Sequence, residues 1–332
     1  MPPIRIHGAA LIALGLLALG GCGDTAPATP RPPTGTASTV SPATATTATP
    51  SPGRTTASTT TSAAVAASLP PALRRLPSRR ATVWAVGDGA DGGDGGRALA
   101  TLIGAGKPSL FLYLGDVYET GTAAEFADNY DPVYGTFKRR TAPTPGNHDY
   151  PLHADGYTPY WQRSLGGALP DYYALSIAGW QVLSLNSEAP HDAASPQVAW
   201  LRARVRDGGS CRIAFWHRPR FSAGLHGDQA DVAPLWDTVR GRAALVLNGH
   251  DHTSQRLKSI GGTTEIVAGA GGHAPYPLNV GDPRLAYGST GTPTALELRL
   301  RPGRADVLFR RSDGTTLDHK TVRCRPPRPA GR

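Results

Sequence analysis

Six side chains along this chain share one local setting. Each stands at or just past the end of a short run of β-prone residues, often behind a glycine, and each is a hard or borderline metal ligand. Asp88 closes ATVWAVGD (81–88), Asp116 closes SLFLYLGD (109–116) and Asn147 lies in TAPTPGNHD (141–149). His217 closes CRIAFWH (211–217), and His250 and His252 end AALVLNGHDH (243–252). Carboxylate, amide oxygen and imidazole without any thiolate exclude a structural cysteine-type zinc site. One carboxylate can bridge two cations about 3.5–4 Å apart, and such a pair clamps the attacking and leaving oxygens of a phosphoryl transfer. His250 and His252 alternate, so serving two different ions requires a turn between them. Glycines at 87, 115, 146 and 249 are expected to let the backbone turn so that each ligand faces inward.

The elements that must position these ligands are legible as well. Runs with continuous apolar character (81–86, 109–114, 211–216, 243–248) read as buried strands. Between them lie helix-like stretches at 122–130, 195–207 and 228–241. In the second, Ser195 stands as N-cap, Pro196 at the first helical position, and Val198, Leu201 and Val205 on one face, with Gly208 beyond the end. Segment 172–187 breaks at Ala178-Gly179 and segment 294–314 at Pro302-Gly303, as antiparallel hairpins do. Strands alternating with helices, together with these hairpins, predict an α/β fold: a sandwich of two mixed β-sheets flanked by helices. Trp161, Trp180, Trp200 and Trp236 read as core or helix-packing residues rather than a base-stacking platform.

GD at 88, GD at 116, GNHD (146–149), WH at 217 and GHDH (249–252), in this order, resemble the calcineurin-like metallophosphoesterases through essentially all of residues 81–320. Within that superfamily the purple acid phosphatase branch is the nearer match. The general pattern has a His two residues after the first Asp, where this chain has Ala90. The purple branch lacks that His and supplies a Tyr from the second motif. Here Tyr118 follows Asp116 by two residues, where the branch spaces them by three, and GHDH continues as Thr253-Ser254-Gln255-Arg256 rather than Tyr-Glu-Arg.

The resemblance implies a four-layer αββα sandwich and two metal ions, iron with a second iron, zinc or manganese. Asp116 would bridge them, with Asp88, His252 and Tyr118 on the first ion and Asn147, His217 and His250 on the second. A hydroxide made available by the cations near neutral pH would attack phosphorus in line. His148 would touch the phosphate or protonate the leaving oxygen, with Asp149 orienting its ring. Tyr118 can also be read as an ordinary packed tyrosine. The substrate expected is a small phosphate monoester. The alternatives are a phosphodiesterase or nuclease acting on nucleotides or lipid headgroups, and a cell-surface binding protein with a vestigial metal site. His226, on a Gly-flanked loop after the His217 strand, reads as a solvated loop residue, with a substrate-facing position as the alternative. His153, His191, His273 and His319 read as surface or hydrogen-bonded histidines, and Arg218 and Arg220 as solvated loop arginines, with contact to a phosphate group as the alternative.

The remaining features concern location. With 39% hydrophobic and 18% charged residues among 332, the chain can bury a core and is too polar for a multi-span membrane protein. Residues 1–21 carry Arg5 and an apolar run from Ala9 to Leu19, suited to an export signal without a twin arginine. Leu19-Gly20-Gly21-Cys22 resembles the bacterial lipobox, which makes Cys22 the lipid-bearing first residue of the mature chain. An ordinary cleaved signal with a chance cysteine is the alternative.

Residues 22–80, rich in Thr, Ala, Pro and Ser, read as a disordered tether, and 321–332 as a basic tail. The expected location is extracytoplasmic, on the outer face of the cell membrane. Cys211 and Cys324 are read as one disulfide, with two free thiols as the alternative. The net charge of +9 concentrates in residues 71–80 and the final twelve, leaving 81–320 close to neutral. A folded basic groove and a stable nucleic-acid partner are therefore not expected. The basic flanks suit an anionic membrane or wall. Oligomeric state is left open.

Overall fold

The computed structural model describes residues 69–326. The signal segment, Cys22, the expected tether up to residue 68 and the tail from 327 lie outside the described residues. Among the described residues no helix is long and apolar enough to cross a membrane.

The apolar runs become central strands. β1 (Ala81–Val86), β2 (Leu110–Tyr113), β6 (Arg212–Phe215) and β7 (Leu245–Asn248) are buried along almost their whole length, as strands covered on both faces must be. β3 is only Thr141–Pro143, because Pro143 and Pro145 deny the ladder its N–H donors. β1, β2 and β3 run parallel. Both expected hairpins form. β4 (Tyr173–Ile177) and β5 (Trp180–Ser184) turn at Ala178 and Gly179, both at positive φ, the requirement of a tight two-residue hairpin loop. β11 (Thr294–Arg301) and β12 (Arg304–Arg311) turn at Pro302-Gly303, and β13 (Thr316–Arg323) follows. β8 (Ser254–Leu257), β9 (Thr264–Ala268) and β10 (Leu285–Ser289) complete the strands.

Two mixed sheets result. One has the order β13-β12-β11-β1-β2-β3 and the other β10-β8-β9-β7-β6-β5-β4. Helix α1 (Asp94–Ala105) packs Leu99 and Ile103 onto the first sheet beside β11. Two short turns, α2 (Ala123–Glu125) and α3 (Asp131–Tyr134), flank a π-helical turn at Phe126–Tyr130, and α4 is Tyr157–Leu165. α5 (Pro196–Arg204) starts as expected, with Ser195 Oγ accepting the Val198 N–H. α6 (Ala233–Val239) is shorter than the 228–241 stretch, because Pro234 has to sit in a first turn. α5 and α6 cover the outer face of the second sheet through Leu183, Val198, Leu201, Trp216, Leu235 and Trp236. The architecture is thus helix, sheet, sheet, helix.

Packing reaches past residues 81 and 320 at both ends. Leu73 is buried in the core, β13 continues to Arg323, and Cys324 is bonded to Cys211. That disulfide joins the chain before β6 to the chain after β13, at the end of the sandwich opposite the ligands. It closes a sequence separation of 113 residues, which restricts the unfolded chain by about 4–5 kcal/mol in the chain-entropy model. Replacing both Cys211 and Cys324 by Ser is expected to lower the free energy of urea unfolding by about 2–4 kcal/mol. An unchanged unfolding midpoint would contradict this role.

Candidate metal centre

The ligand positions converge. Asp88 lies two residues past β1, Asp116 three past β2, Asn147 four past β3, His217 two past β6 and His250 two past β7, while His252 stands two before β8. One ligand atom each of Asp88, Asp116 and His217 lie within 4.8 Å of one another, and all three residues are buried.

Backbone geometry holds them there. Asp88, Asp116 and His250 themselves take positive φ, at 59°, 69° and 71°. This is a costly conformation for side-chain-bearing residues and one that clusters at functional sites. Of the four glycines expected to make the turns, only Gly115 has positive φ. The others serve close approach: a Cβ on Gly146 would stand 1.9 Å from Asp116 Oδ1, and one on Gly249 2.5 Å from Asp88 Oδ2. The ligands turn, and the glycines make room. The turn required between His250 and His252 is present, since β7 ends at Asn248 and β8 begins at Ser254.

Hydrogen bonding fixes which ring nitrogens face inward. His217 Nδ1 lies 2.8 Å from the Leu114 carbonyl and must donate to it, so Nε2 is the nitrogen turned toward the other ligands. That Nε2 faces two acceptors, Asn147 Oδ1 at 3.0 Å and Asp116 Oδ2 at 3.3 Å. His252 Nδ1 likewise donates to the Ala274 carbonyl at 2.6 Å, leaving Nε2 toward the Tyr118 hydroxyl at 2.8 Å. Tyr118 Oη is also 3.2 Å from Asp88 Oδ1 and 3.4 Å from Asp116 Oδ2. A lone-pair nitrogen against two oxygens in a dry site is stable only if a proton or a cation sits among them.

The titration behaviour reports the same demand. Burial opposes charge on His217, yet the Asp116 carboxylate dominates and holds the imidazole up at about 10. Burial pushes the Asp88 carboxyl well up. In Asp116 burial pushes the same way but is outweighed by His217 and His148, which hold it at about 2. Burial, with neighbouring cationic groups, keeps His250 down at about 2 and His252 at about 4, so both are neutral donors. Carboxylates, neutral imidazoles, an amide oxygen and a phenol directed at one spot could hold two cations of the Fe, Zn or Mn kind.

The surrounding residues depart in part from the sequence expectation. Asp149 does not orient the His148 ring. Its carboxylate accepts the backbone N–H groups of Asp116, Val117 and Gly146 at 2.8–2.9 Å, pinning the two ligand loops together because buried N–H donors there have no strand partner. The His148 ring is held instead through Nδ1 by the Glu119 carbonyl at 2.6 Å.

His273 is hydrogen-bonded, to Asp91 at 3.0 Å, but it also stacks on Tyr118 with ring centroids 3.9 Å apart. His226 is exposed, as a loop residue should be, and stacks on His250 at 4.1 Å, while Tyr276 stacks on His252 at 3.8 Å. None of these three lies in a ligand motif. The one sequence signal is glycine flanking: Gly224 and Gly227 about His226, and Gly271-Gly272 before His273. Arg218 pairs with Glu188 at 3.0 Å and Arg220 lies over Phe221, so neither is a freely solvated loop arginine. His153, His191 and His319 are hydrogen-bonded or lie near carboxylates away from the ligands.

The family model for calcineurin-like phosphoesterases matches residues 82–254, just over half of the chain and a span that contains every converging ligand. The chain belongs to the calcineurin-like phosphoesterases. No curated protein sequence matches it. Among solved structures, GAP50, the anchor in the inner membrane complex of Plasmodium, is similar at a TM-score of 0.60 and 12% identity, over 76% of this chain and 91% of that one. The purple acid phosphatase PPD1 from yellow lupin (Lupinus luteus) seeds is similar at a TM-score of 0.60 and 14% identity, over 75% of this chain and 55% of that one. At these identities the likeness is one of fold. Membership implies a dinuclear metal centre, and the donor set of this phosphoesterase fits one.

The close approach at Gly146 is testable. Gly146→Ala must displace the Asp116 carboxylate, and metal affinity by calorimetry is expected to fall roughly 10–100-fold with the near-ultraviolet circular dichroism kept. Unchanged affinity would mean that Asp116 is not where metal binds.

Proposed function

We propose that this chain hydrolyses small phosphate monoesters at a dinuclear metal centre outside the cytoplasm, held at the membrane by a lipid on Cys22. One observation carries the hydrolytic reading. The Nε2 lone pairs of His217 and His252, the Asp88 and Asp116 carboxylates, the Asn147 oxygen and the Tyr118 hydroxyl all lie within hydrogen-bonding distance of another member of the group or close to it. Asp88, His252 and Tyr118 would hold one ion and Asn147, His217 and His250 the other, with Asp116 between them. When bound, two such cations lower the pKa of water at the site and offset charge on the phosphoryl oxygens.

The chain's own groups do the rest. His148, half-buried, holds its Nδ1 proton on the Glu119 carbonyl, which orients the ring; in its imidazolium form it would pass the second proton, on Nε2, to the leaving oxygen. Asp149 fixes the loops that carry Asp116 and Asn147. His226, His273 and Tyr276, packed on His250, Tyr118 and His252, border the substrate space. The Cys211–Cys324 disulfide supports an oxidising compartment, and so export.

Elemental analysis of the purified chain is expected to find two transition-metal ions, iron among them. Turnover of p-nitrophenyl phosphate should exceed that of its bis ester, and a reversed ratio would make the chain a phosphodiesterase. Asp116→Ala and His217→Ala should each cost about a thousandfold in kcat, several kcal/mol of transition-state stabilisation, with the fold kept. Absence of bound metal under replete conditions would leave a vestigial site. The iron-loaded protein should show a visible tyrosinate-to-iron band that Tyr118→Phe removes, and absence of the band in the parent would take Tyr118 off the metal. Palmitate labelling in cells should be lost in Cys22→Ser, and labelling that persists would refute the anchor.

A further inference from the structure

The near-neutral sum over residues 81–320 hides a separation of charge along the strands. Ligands that follow β1, β2, β6 and β7 meet at one point, so the C-terminal ends of both sheets lie at the same end of the molecule. The N-terminal ends of these parallel strands lie at the other. Exposed cations gather there: Arg79 and Arg80 before β1, Lys107 before β2, Arg139 before β3 and Arg206 before β6. Arg325 joins them, because its carbonyl accepts the N–H groups of Ser210 and Cys211 just before β6. Among the described residues none of these six side chains has a carboxylate in ion-pair reach. The acids at this end, Asp207, Asp237 and Asp306, are each paired with an arginine. Acids that follow the strands, such as Glu119, Asp155, Asp192 and Asp228, lie at the ligand end.

Helix dipoles account for part of this pattern, since Lys107 and Arg206 follow the C-termini of α1 and α5. They do not account for Arg79, Arg80 or Arg325, which follow no α-helix. Arg79, Arg80 and Arg325, which belong to the flanks of the sequence, are therefore part of one basic end with Lys107, Arg139 and Arg206. A hollow of about 860 Å³ that runs along α5 and α6 opens toward this end beside Arg206, Arg242 and Arg325.

We infer that this basic end seats on an anionic lipid surface, with the metal-ligand end directed away from it. Lipid is favoured over nucleic acid on two grounds. The cations spread across the ends of both sheets rather than along one groove, and no Phe, Tyr or Trp among the described residues is exposed to stack on bases. The exposed large apolar residues, Leu152, Leu225 and Val280, follow strands on the ligand side, so contact at the basic end is electrostatic and salt-sensitive. The inference uses the proposed function only for an extracytoplasmic location and does not need hydrolysis.

The test is sedimentation of the full chain carrying Cys22→Ser, so that no acyl group contributes, with vesicles of phosphatidylcholine alone or with about 30% phosphatidylglycerol. Binding is expected only to the anionic vesicles, and is expected to be lost in about 0.5 M salt. A combined Arg79→Ser, Arg80→Ser, Lys107→Ser and Arg206→Ser variant should bind at least about tenfold more weakly with unchanged p-nitrophenyl phosphate turnover. Arg31→Ser with Arg54→Ser, outside the described residues, should leave binding nearly unaltered. Equal binding to both vesicle types, no binding to either, full binding by the four-site variant, or displacement from vesicles by duplex DNA at equal phosphate concentration would each overturn the inference.

Discussion

Asp88 and Asp116 carry the same charge when both are ionised, and they are buried within 4.8 Å of each other and of a His217 nitrogen. Carboxylates out of water repel each other and lose hydration, and several kcal/mol per ion must be recovered from positive charge or hydrogen bonds. Without bound cations, His217 supplies that charge as a proton, which is why its imidazole is held up at about 10 although burial opposes it. A metal cation supplies more charge at the same point and frees the Nε2 lone pair to ligate. The need for cations follows from how these donors are packed.

Much of the surrounding backbone serves to keep that packing. Left-handed conformations at Asp88, Asp116 and His250 turn each chain inward as soon as its strand ends. The gaps at Gly146 and Gly249 allow the neighbouring ligands into contact. Asp149 ties the loop after β2 to the loop after β3 through backbone N–H groups rather than through a ring. A rigid sandwich with well-buried central strands absorbs this local strain.

The fold and the segments whose ends converge were largely legible in the sequence because both are written in local patterns. Continuous apolar runs mark strands buried on both faces, Ala178-Gly179 and Pro302-Gly303 mark hairpins, and Ser195-Pro196 marks a helix start. What could not be read depends on contacts between distant segments. Asp149 stands next to His148 in the chain, which suggests a ring partner, but the unpaired N–H groups of residues 116 and 117 compete for its oxygens. His273 and His226 come from loops that reach the ligands only through the way β8, β9 and the loop after β6 are threaded. The basic end is hidden for the same reason: summing charge along the chain discards which end of a strand each residue occupies, and the cations without a carboxylate partner gather where the parallel strands begin.

The structure thus joins two features of separate origin, a dense cluster of cation-seeking donors where parallel strands finish and an excess of cations where they begin. The most direct test of the central claim is anomalous diffraction at metal absorption edges from crystals of the metal-loaded chain. Two peaks about 3.5–4 Å apart are predicted, both touching Asp116, one bounded by Asp88 and His252 and the other by Asn147, His217 and His250. A map without peaks among these residues, or with its metal elsewhere on the chain, would contradict the account.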